Sequence, residues 1–445
     1  MQSSLILTIK LKKSELPEML IMFQVIYVCI VRLLIDAGLP ESATFVCDFI
    51  NIILLVYCAL YRRKRKLAYQ SNRLLYNLIL TFYVEGLFSA IFYRFNLILW
   101  MWSLRNFGRF DIFLFACATF INAKTIAKIT KILKLAFAVN FVLVFYQFGI
   151  LGNRGDYIGG LFGIEGGTAN TWLNIFLIVC FSLYTSEWLH NSITYLKYNI
   201  ILIAAVAIAT VSELKFFYIE LILIVIMGLI ASKKNAQFFL RTLWISITII
   251  VLAAISIPIL YALFPNFNDF FHISTIINDA SQSYTKSGDI GRLEVIPKVT
   301  SEIFGGDKFL SIFGIGMGNA EYSTLELLTS EFYKRWGVLH YQWFSDAVIL
   351  IQNGLLGLIL YALFFVASGV RCYKHYKSIH EIYSINKQIL LVGSMLSMSA
   401  ILLAIYNISL NTESAYLLYF YLAAAMSQYR NLSVSRTYKS GLSEE

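Results

Sequence analysis

Long apolar runs alternate with short polar or basic segments along most of the chain. A helix needs about twenty apolar residues to cross a bilayer, and by that measure the pattern predicts twelve spans. The predicted spans are 17–35, 43–61, 74–93, 96–122, 135–151, 169–186, 197–212, 215–232, 243–264, 343–367, 387–406 and 412–427. The pattern therefore predicts an all-α polytopic membrane protein in which residues 1–445 form a single integral-membrane domain.

One polar segment, residues 265–342, interrupts this pattern between the ninth and tenth predicted spans. Connections in compact proteins are usually only a few residues long, and much longer ones are usually functional or disordered. Aromatic residues, glycines and apolar pairs occur throughout this segment, which disfavours disorder. We therefore expect this long loop to be folded and to carry the chemistry.

The distribution of charge predicts the orientation of the spans. Only 14% of the residues are charged, against about 25% in ordinary globular proteins. The net charge of +10 would suggest nucleic acid in a soluble protein, but lysines and arginines here cluster in loops that the positive-inside rule places in the cytoplasm. With twelve spans and both termini inside, every cluster falls on that face: 10–13, 62–66, 124–134, 233–234, 371–377 and 430–439. We expect no nucleic-acid partner.

The same topology leaves a few basic residues on the outer face, where the positive-inside bias disfavours them. Arg154, Lys215 and Arg292 lie near tight or glycine-rich turns, and Lys334 and Arg335 lie further along the long loop. The guanidinium group binds phosphate oxygens at two points, and glycines let backbone amides approach the same oxygens. These residues therefore predict an anion site that faces the outer leaflet.

Local structure offers an alternative explanation for each of these cations. Arg154 has Asp156 as a neighbour, and Lys215 has Glu213, so each can form a surface ion pair of little energetic value. A long cationic side chain can also extend to the membrane interface from an apolar segment. Both explanations stay open at the level of sequence.

Two further ionisable residues stand out near the end of the long loop. Asp346 lies at the start of an apolar helix, where an ionisable group is costly and functional by default; its alternative role is a helix cap beside Ser345. His340 is the only histidine near the exit of the long loop, and a plain surface histidine is its alternative. The six cysteines show no metal-binding spacing, and no cluster of metal ligands occurs, so we expect neither a metal nor a cofactor.

Several short motifs in order resemble the O-antigen and polysaccharide polymerase family (Wzy), which is related to the O-antigen ligases. The similarity covers about residues 135–365, and its pieces are Gln147, 156–163, Asn170, 212–215, 291–293, 310–316 and 353–357. Ligases typically carry a histidine–asparagine pair before the Gly-x-x-Gly of the returning helix. Here Phe344, Ser345 and Asp346 occupy that region, which favours a polymerase.

The resemblance implies a GT-C-like, metal-independent glycosyltransferase of the bacterial inner membrane. Such an enzyme joins undecaprenyl-pyrophosphate-linked repeat units of O-antigen or capsule on the periplasmic face, where the long loop would lie. A chain-length regulator and a flippase are its implied partners. The implied catalytic residues are Arg292, Asp346 and His340, with Glu302 as a further candidate base. The implied substrate-binding residues are Arg154, Asp156, Glu213, Lys215, Gly291 and Gly316.

Other classes of membrane protein remain alternatives. An O-antigen ligase or another lipid-linked sugar transferase is one alternative. A lipid-linked oligosaccharide flippase is expected to line its spans with charge and to keep its outer loops short, which the long loop disfavours. A peptidoglycan polymerase of the shape-and-division family has fewer spans and different motifs.

Overall fold

The computed structural model describes residues 15–164, 169–232, 236–265, 288–379 and 385–441 of the 445-residue chain. Within these ranges the regular secondary structure is entirely helical, as the apolar pattern predicts. The predicted basic clusters at 10–13 and 233–234 and the long-loop residues 266–287 lie outside the described residues.

The helices follow the predicted apolar runs closely. They are α1 (Leu16–Asp36), α2 (Val46–Leu60), α3 (Arg62–Ser71), α4 (Arg73–Tyr93), α5 (Leu97–Phe120), α6 (Ala123–Gly149), α7 (Ala169–Leu189), α8 (Tyr195–Val211), α9 (Lys215–Ala231), α10 (Ala236–Leu263), α11 (Lys308–Phe313), α12 (Glu331–Trp336), α13 (Ser345–Ser378), α14 (Ile385–Tyr406) and α15 (Ala415–Gly441). Among the described residues, eight helices are long and apolar enough to cross a membrane, and α8 is a shorter apolar helix. This is the architecture of a polytopic membrane protein, while the count of twelve spans stays a prediction.

Short 3₁₀ turns connect several of these helices. They are Glu41–Phe45, Gly155–Tyr157, Gly160–Phe162, Glu326–Leu328, Gly337–Leu339, Tyr341–Trp343 and Ser409–Asn411. The basic run 124–134 and the predicted fifth span are one continuous helix, α6, rather than two elements. The reason is local: the Asn122 side chain accepts a hydrogen bond from the Thr125 N–H and caps the helix, and no glycine or proline interrupts it before Gly149.

Helix α5 is unbroken although charged residues interrupt its apolar pattern. Each of these residues is paired within the bundle. The Arg105 guanidinium lies 2.5 Å from an Asp48 carboxylate oxygen of α2, and the Tyr83 hydroxyl of α4 donates to Asp111 at 2.5 Å. Because buried ionisable groups are tolerated only when paired, these contacts explain how the helix continues.

The third charged residue of α5, Arg109, forms a buried ion pair whose contribution to the stability of the fold can be measured. Arg109 is 7% exposed; it lies 3.0 Å from a Glu413 carboxylate oxygen and donates to the Asn411 carbonyl at 2.6 Å. Arg109→Met leaves the Glu413 charge buried alone, so we expect the free energy of unfolding to fall by about 3–5 kcal/mol. Unfolding of the purified protein in detergent measures this change.

A double variant is the control for that prediction. In Arg109→Met with Glu413→Gln, no uncompensated charge remains, so we expect much of the lost stability to return. If the single variant unfolds like the parent protein, the pair does not stabilise the bundle.

Helix α13 is broken at Gly354, whose φ of 61° and ψ of −168° are not helical. The break frees two carbonyl oxygens, and the long loop satisfies both of them. The Ile315 N–H donates to the Ile351 carbonyl at 2.9 Å, and the Gly316 N–H donates to the Gln352 carbonyl at 2.8 Å. Irregular backbone at membrane depth is tolerated only where protein covers it, and residues 314–318 provide that cover.

The glycines of this loop segment allow its close approach to the helices. Gly316 has a φ of 89°, and a Cβ there would lie 2.1 Å from the backbone nitrogen of Ala90 in α4. The next residue, Met317, donates its N–H to the Gly86 carbonyl of the same helix at 3.0 Å. Backbone therefore packs directly on backbone, which only glycine permits.

The residue before the break in α13 connects this helix to α4. Asn353 donates through Nδ2 to Glu85 Oε2 at 2.8 Å, and the Ser89 hydroxyl donates to Glu85 Oε1 at 2.9 Å. Glu85 therefore joins two helices beside the broken turn.

The described part of the long loop, residues 288–342, is folded. Its buried residues form one apolar cluster with α4, α5 and the first turns of α13; the cluster includes Phe82, Phe107, Ile290, Val295, Val299, Phe304, Ile315, Met317, Tyr341 and Phe344. Burial of apolar area stabilises such a cluster by about 25 cal/mol per Å². The loop is therefore a small packed unit at one end of the bundle.

The two ends of the bundle differ in charge. We call the end where α4 meets α5, α8 meets α9, and α13 begins the site end, because the long loop packs there. At the opposite, basic end, Arg371 of α13 donates to the Ser71 carbonyl of α3, and Lys377 donates to the Ala231 carbonyl of α9. The described basic clusters thus gather at one end, the pattern that the positive-inside rule predicts.

Candidate functional site

The tight turn between α8 and α9 holds two of the predicted site residues together. Glu213 has a φ of 57°, and the Leu214 N–H donates to the Ala209 carbonyl at 2.9 Å, so the chain reverses within a few residues. The Lys215 ammonium lies 3.1 Å from a Glu213 carboxylate oxygen, so the local ion pair is present. Burial raises the pKa of the Glu213 carboxyl; Lys215 opposes this increase, and Asp156 adds to it.

A second segment brings Asp156 to the same place. Asp156 directly follows Gly155. A Cβ added at Gly155 would lie 2.3 Å from Glu213 Oε2, so the Gly155 backbone approaches the Glu213 carboxylate as closely as only glycine allows. Asn170 of α7 donates a hydrogen bond to the Asp156 carboxylate. The charge of Asp156 acts on both Glu213 and Lys215.

Arg292 approaches this group from the long loop. Its Nε donates to the Tyr406 carbonyl at the end of α14, 3.0 Å away, and its guanidinium carbon lies 4.4 Å from the centre of the Tyr406 ring. The Phe216 ring of α9 stacks on the same tyrosine at 3.9 Å. Because Phe216 directly follows Lys215, this stack brings Arg292 next to the turn that holds Lys215.

We call Asp156, Glu213, Lys215 and Arg292 the polar cluster. Glu213 and Lys215 share one turn, Asp156 and Arg292 come from two other segments, and all four lie at the site end. Glu213 compensates the charge of the Lys215 ammonium, 3.1 Å away, and Arg292 contacts a backbone carbonyl and an aromatic ring. The arginine fork and the glycine turn suit phosphate oxygens, so an anion can bind beside these two cations.

His340 forms a pair that the sequence did not reveal. Its Nδ1 lies 2.8 Å from Asp289 Oδ1, and Asp289 is fully buried. The His340 ring stacks on Trp343 with centroids 4.1 Å apart, and the Ile290 N–H donates to the Leu339 carbonyl at 3.1 Å, which joins the two segments. A carboxylate that holds one ring nitrogen fixes the imidazole orientation and leaves Nε2 for a substrate.

Asp346 is buried in the first turn of α13. Its Oδ1 accepts a hydrogen bond from the Ala347 N–H at 2.8 Å, but the N-cap of the helix is Phe344, so Asp346 is not the helix cap of its structural alternative. The preceding Ser345 hydroxyl donates to the Asn407 carbonyl at 3.0 Å, and the Phe344 ring lies 5.7 Å from the Arg292 guanidinium. The start of α13 therefore lies beside the polar cluster, and a role for Asp346 as a base stays a prediction.

No family model and no curated protein matches this chain. The resemblance to the polysaccharide polymerases therefore stays a prediction, which the chain's own residues have to support.

Arg154 does not join the polar cluster through the contacts that the sequence suggested. It donates to the carbonyls of Phe148 and Asn153, each at 2.8 Å, and lies over the Phe148 ring at 4.2 Å. Within the part of the chain that the structure describes, it forms no ion pair with Asp156. Its contacts are with its own turn, and its role in substrate binding stays a prediction.

The two glycines selected from the sequence have different surroundings. Gly291 is buried directly before Arg292, and its carbonyl accepts a hydrogen bond from the Glu294 N–H at 3.0 Å, which forms the turn that positions the arginine. Gly316 packs on Ala90 in the bundle, where it has a clear structural function. Glu302, the further candidate base, is exposed in a π-helical turn.

The site also contains residues that the sequence did not single out. Asp289, Tyr406 and Asn407 hold His340, Arg292 and Ser345 respectively. Among the residues that the structure describes, no three histidine, cysteine, aspartate or glutamate side chains are grouped to hold a metal ion. The need for a metal is therefore a matter for experiment.

Proposed function

We propose that this protein is an integral-membrane glycosyltransferase that polymerises lipid-linked oligosaccharide repeat units. The observation that carries this proposal is the approach of Arg292, through Tyr406 and Phe216, to the turn that holds Lys215, beside the buried start of α13. Two cations at the membrane surface suit a diphosphate that is attached to a lipid. The order of the sequence motifs adds independent support.

The proposed reaction needs little chemistry beyond charge stabilisation and one proton transfer. A hydroxyl oxygen of the acceptor sugar bonds to the anomeric carbon of the donor glycan, and the bond from that carbon to the pyrophosphate oxygen breaks. The leaving undecaprenyl pyrophosphate gains negative charge as this bond breaks. Arg292 and Lys215 stabilise that charge in the transition state.

The acceptor hydroxyl has to lose its proton to a base. The His340 ring is oriented by the buried Asp289 and is part-exposed, so its Nε2 is available to accept the proton. Asp346 is the second candidate for this role, at the start of the neighbouring helix. A pH profile of the His340→Gln and Asp346→Asn variants distinguishes the two.

The placement of the charges favours a transferase over a flippase. In a flippase, charged groups are expected along the translocation path through the membrane. Here the candidate groups concentrate at the site end, and the charged residues Arg105 and Asp111 within the bundle are paired with neighbouring helices. The long loop adds a folded unit to the same end.

The proposal requires the site end to face the periplasm, and reporter fusions test this orientation. Because the basic clusters predict the cytoplasmic face, we expect fusions at residues 66, 234 and 440 to report a cytoplasmic location. Fusions at 156 and 310 are expected to report a periplasmic one. A cytoplasmic result at 310 is incompatible with the proposed site.

The product left after gene deletion separates a polymerase from a ligase. A polymerase lengthens the glycan, so its loss is expected to leave surface glycan or precursor that carries a single repeat unit. A ligase joins the glycan to its final lipid, so its loss leaves none. Gel electrophoresis of the surface glycan reads this difference directly, and the absence of single-unit product contradicts the polymerase proposal.

A further inference from the structure

A second cavity lies at the site end, apart from the polar cluster. Its volume is about 600 Å³, and its walls come from the α4–α5 turn and from the long loop around α12. Arg94 and Tyr93 line one side, whereas Arg335 and Trp336 line the other. We call this space the loop cavity; none of the candidate catalytic residues lines it.

The cations of the loop cavity differ in their pairing. Lys334 lies 3.0 Å from a Glu331 carboxylate oxygen and 3.4 Å from one of Glu326, so its charge is compensated. The guanidinium groups of Arg94 and Arg335 form no hydrogen bond or ion pair with any of the residues that the structure describes. Arg335 is instead held beside the Trp336 ring, 5.2 Å from its centre. Two arginine forks are thus available to an anion in the cavity.

The rest of the wall suits a sugar. Trp336 and Tyr93 present aromatic faces that can pack on the apolar face of a pyranose ring. Glu326 and Glu331 provide acceptors for sugar hydroxyls, and Asn96 adds an amide whose Oδ1 caps α5. Aromatic faces with a few fixed polar groups are the usual composition of a small-ligand site, and the volume is typical of one.

We propose that the loop cavity binds an acidic sugar residue of a glycan, with the sugar carboxylate held by Arg94 and Arg335. The two carboxylates on the wall decide between a singly charged carboxylate and a pyrophosphate. Glu326 and Glu331 offset only part of the positive charge, and they repel a multiply charged diphosphate more than a single carboxylate. The choice of a glycan as ligand rests on the proposed function, but the binding itself needs no turnover.

Calorimetric titration of the purified protein in lipid nanodiscs tests this proposal. The probes are a hyaluronan tetrasaccharide, which carries glucuronate, a neutral maltotetraose and inorganic pyrophosphate. We expect the acidic tetrasaccharide to bind at least tenfold more tightly than the neutral one. A hydrogen bond to a charged group contributes about 1.5–3 kcal/mol, so Arg94→Ala and Arg335→Ala are each expected to weaken binding about tenfold or more.

A matched variant controls for the loss of a positive charge. Lys308 is exposed on the same loop and does not line the cavity, so Lys308→Ala is expected to leave tetrasaccharide binding within about twofold of the parent protein. Equal binding of the acidic and neutral probes overturns the proposal, as does equal weakening by the Lys308 and Arg335 variants. Binding of pyrophosphate alone also overturns it. Because binding is measured without polymerisation, these outcomes neither support nor contradict the proposed polymerisation reaction, which is tested separately.

Discussion

Arg292→Ala is expected to reduce chain elongation by about a hundred- to a thousandfold, with the protein at its normal level in the membrane. Loss of one group that stabilises the transition state typically costs about 2.7–4 kcal/mol. Arg292 is the cation that the folded loop brings to Lys215, and it reaches the bundle through the Tyr406 carbonyl. The length distribution of glycan chains on a gel measures the change.

Two further substitutions separate the charge of Arg292 from its contacts. Arg292→Gln can still donate a hydrogen bond to the Tyr406 carbonyl but carries no charge, so we expect it to be nearly as inactive as the alanine variant. Arg292→Lys retains the charge without the two-point fork and is expected to recover only part of the activity. A glutamine variant with normal chain lengths assigns Arg292 a purely structural role. Thermal unfolding of each variant shows whether the fold is retained.

Gly316→Ala is expected to lower the free energy of unfolding by about 3 kcal/mol or more. The new Cβ would lie 2.1 Å from the Ala90 backbone, and overpacking of this kind costs about 1–3 kcal/mol before backbone strain is added. A positive φ for a residue with a Cβ adds about 1–2 kcal/mol. Thermal unfolding in detergent, followed by tryptophan fluorescence, measures the loss.

Gly306→Ala is the matched control for the Gly316 variant. Gly306 has a φ of 78° in the same loop, and nothing lies within 4 Å of its added Cβ. It therefore carries the backbone strain without the clash, and we expect a loss of only about 1–2 kcal/mol. If Gly316→Ala is as stable as this control but inactive, then Gly316 acts on substrate, as the sequence suggested, rather than in packing.

The positions of the helices were predictable because each apolar run of membrane-spanning length has only one stable backbone form. The break in α13 was not, although Gly354 and Gly357 are visible in the sequence. A glycine in an apolar run is compatible with a straight helix. The break depends on residues 314–318, which supply backbone donors to Ile351 and Gln352 from a distant segment.

Part of the candidate site was predictable, because basic residues on the predicted outer face are unusual and could be selected by that criterion. This criterion selected Lys215 and Arg292, which the structure brings together, and it also selected Arg154, whose contacts are within its own turn. Asp289 was missed because its partner, His340, is 51 residues away. Tyr406 was missed because it contributes a backbone carbonyl to Arg292, and such a contact has no signature in the sequence.

The loop cavity was beyond prediction for a related reason. Lys334 and Arg335 are adjacent in the sequence and look equivalent there. The fold pairs Lys334 with two carboxylates and leaves Arg335 against a tryptophan, across from Arg94. Such a difference between neighbouring cations depends on the packing of the α4–α5 turn against the long loop.

The most direct test is polymerisation by the purified protein in liposomes. The substrate is the undecaprenyl-pyrophosphate-linked repeat unit isolated from a host that lacks the gene, and parallel reactions contain either a chelator or magnesium. We expect a ladder of glycans that differ by one repeat unit, with one undecaprenyl pyrophosphate released for each bond formed, and no ladder from Arg292→Ala. Failure of the parent protein to extend the repeat unit, with or without added magnesium, contradicts the proposed function. A ladder that forms only with magnesium contradicts the metal-independent mechanism.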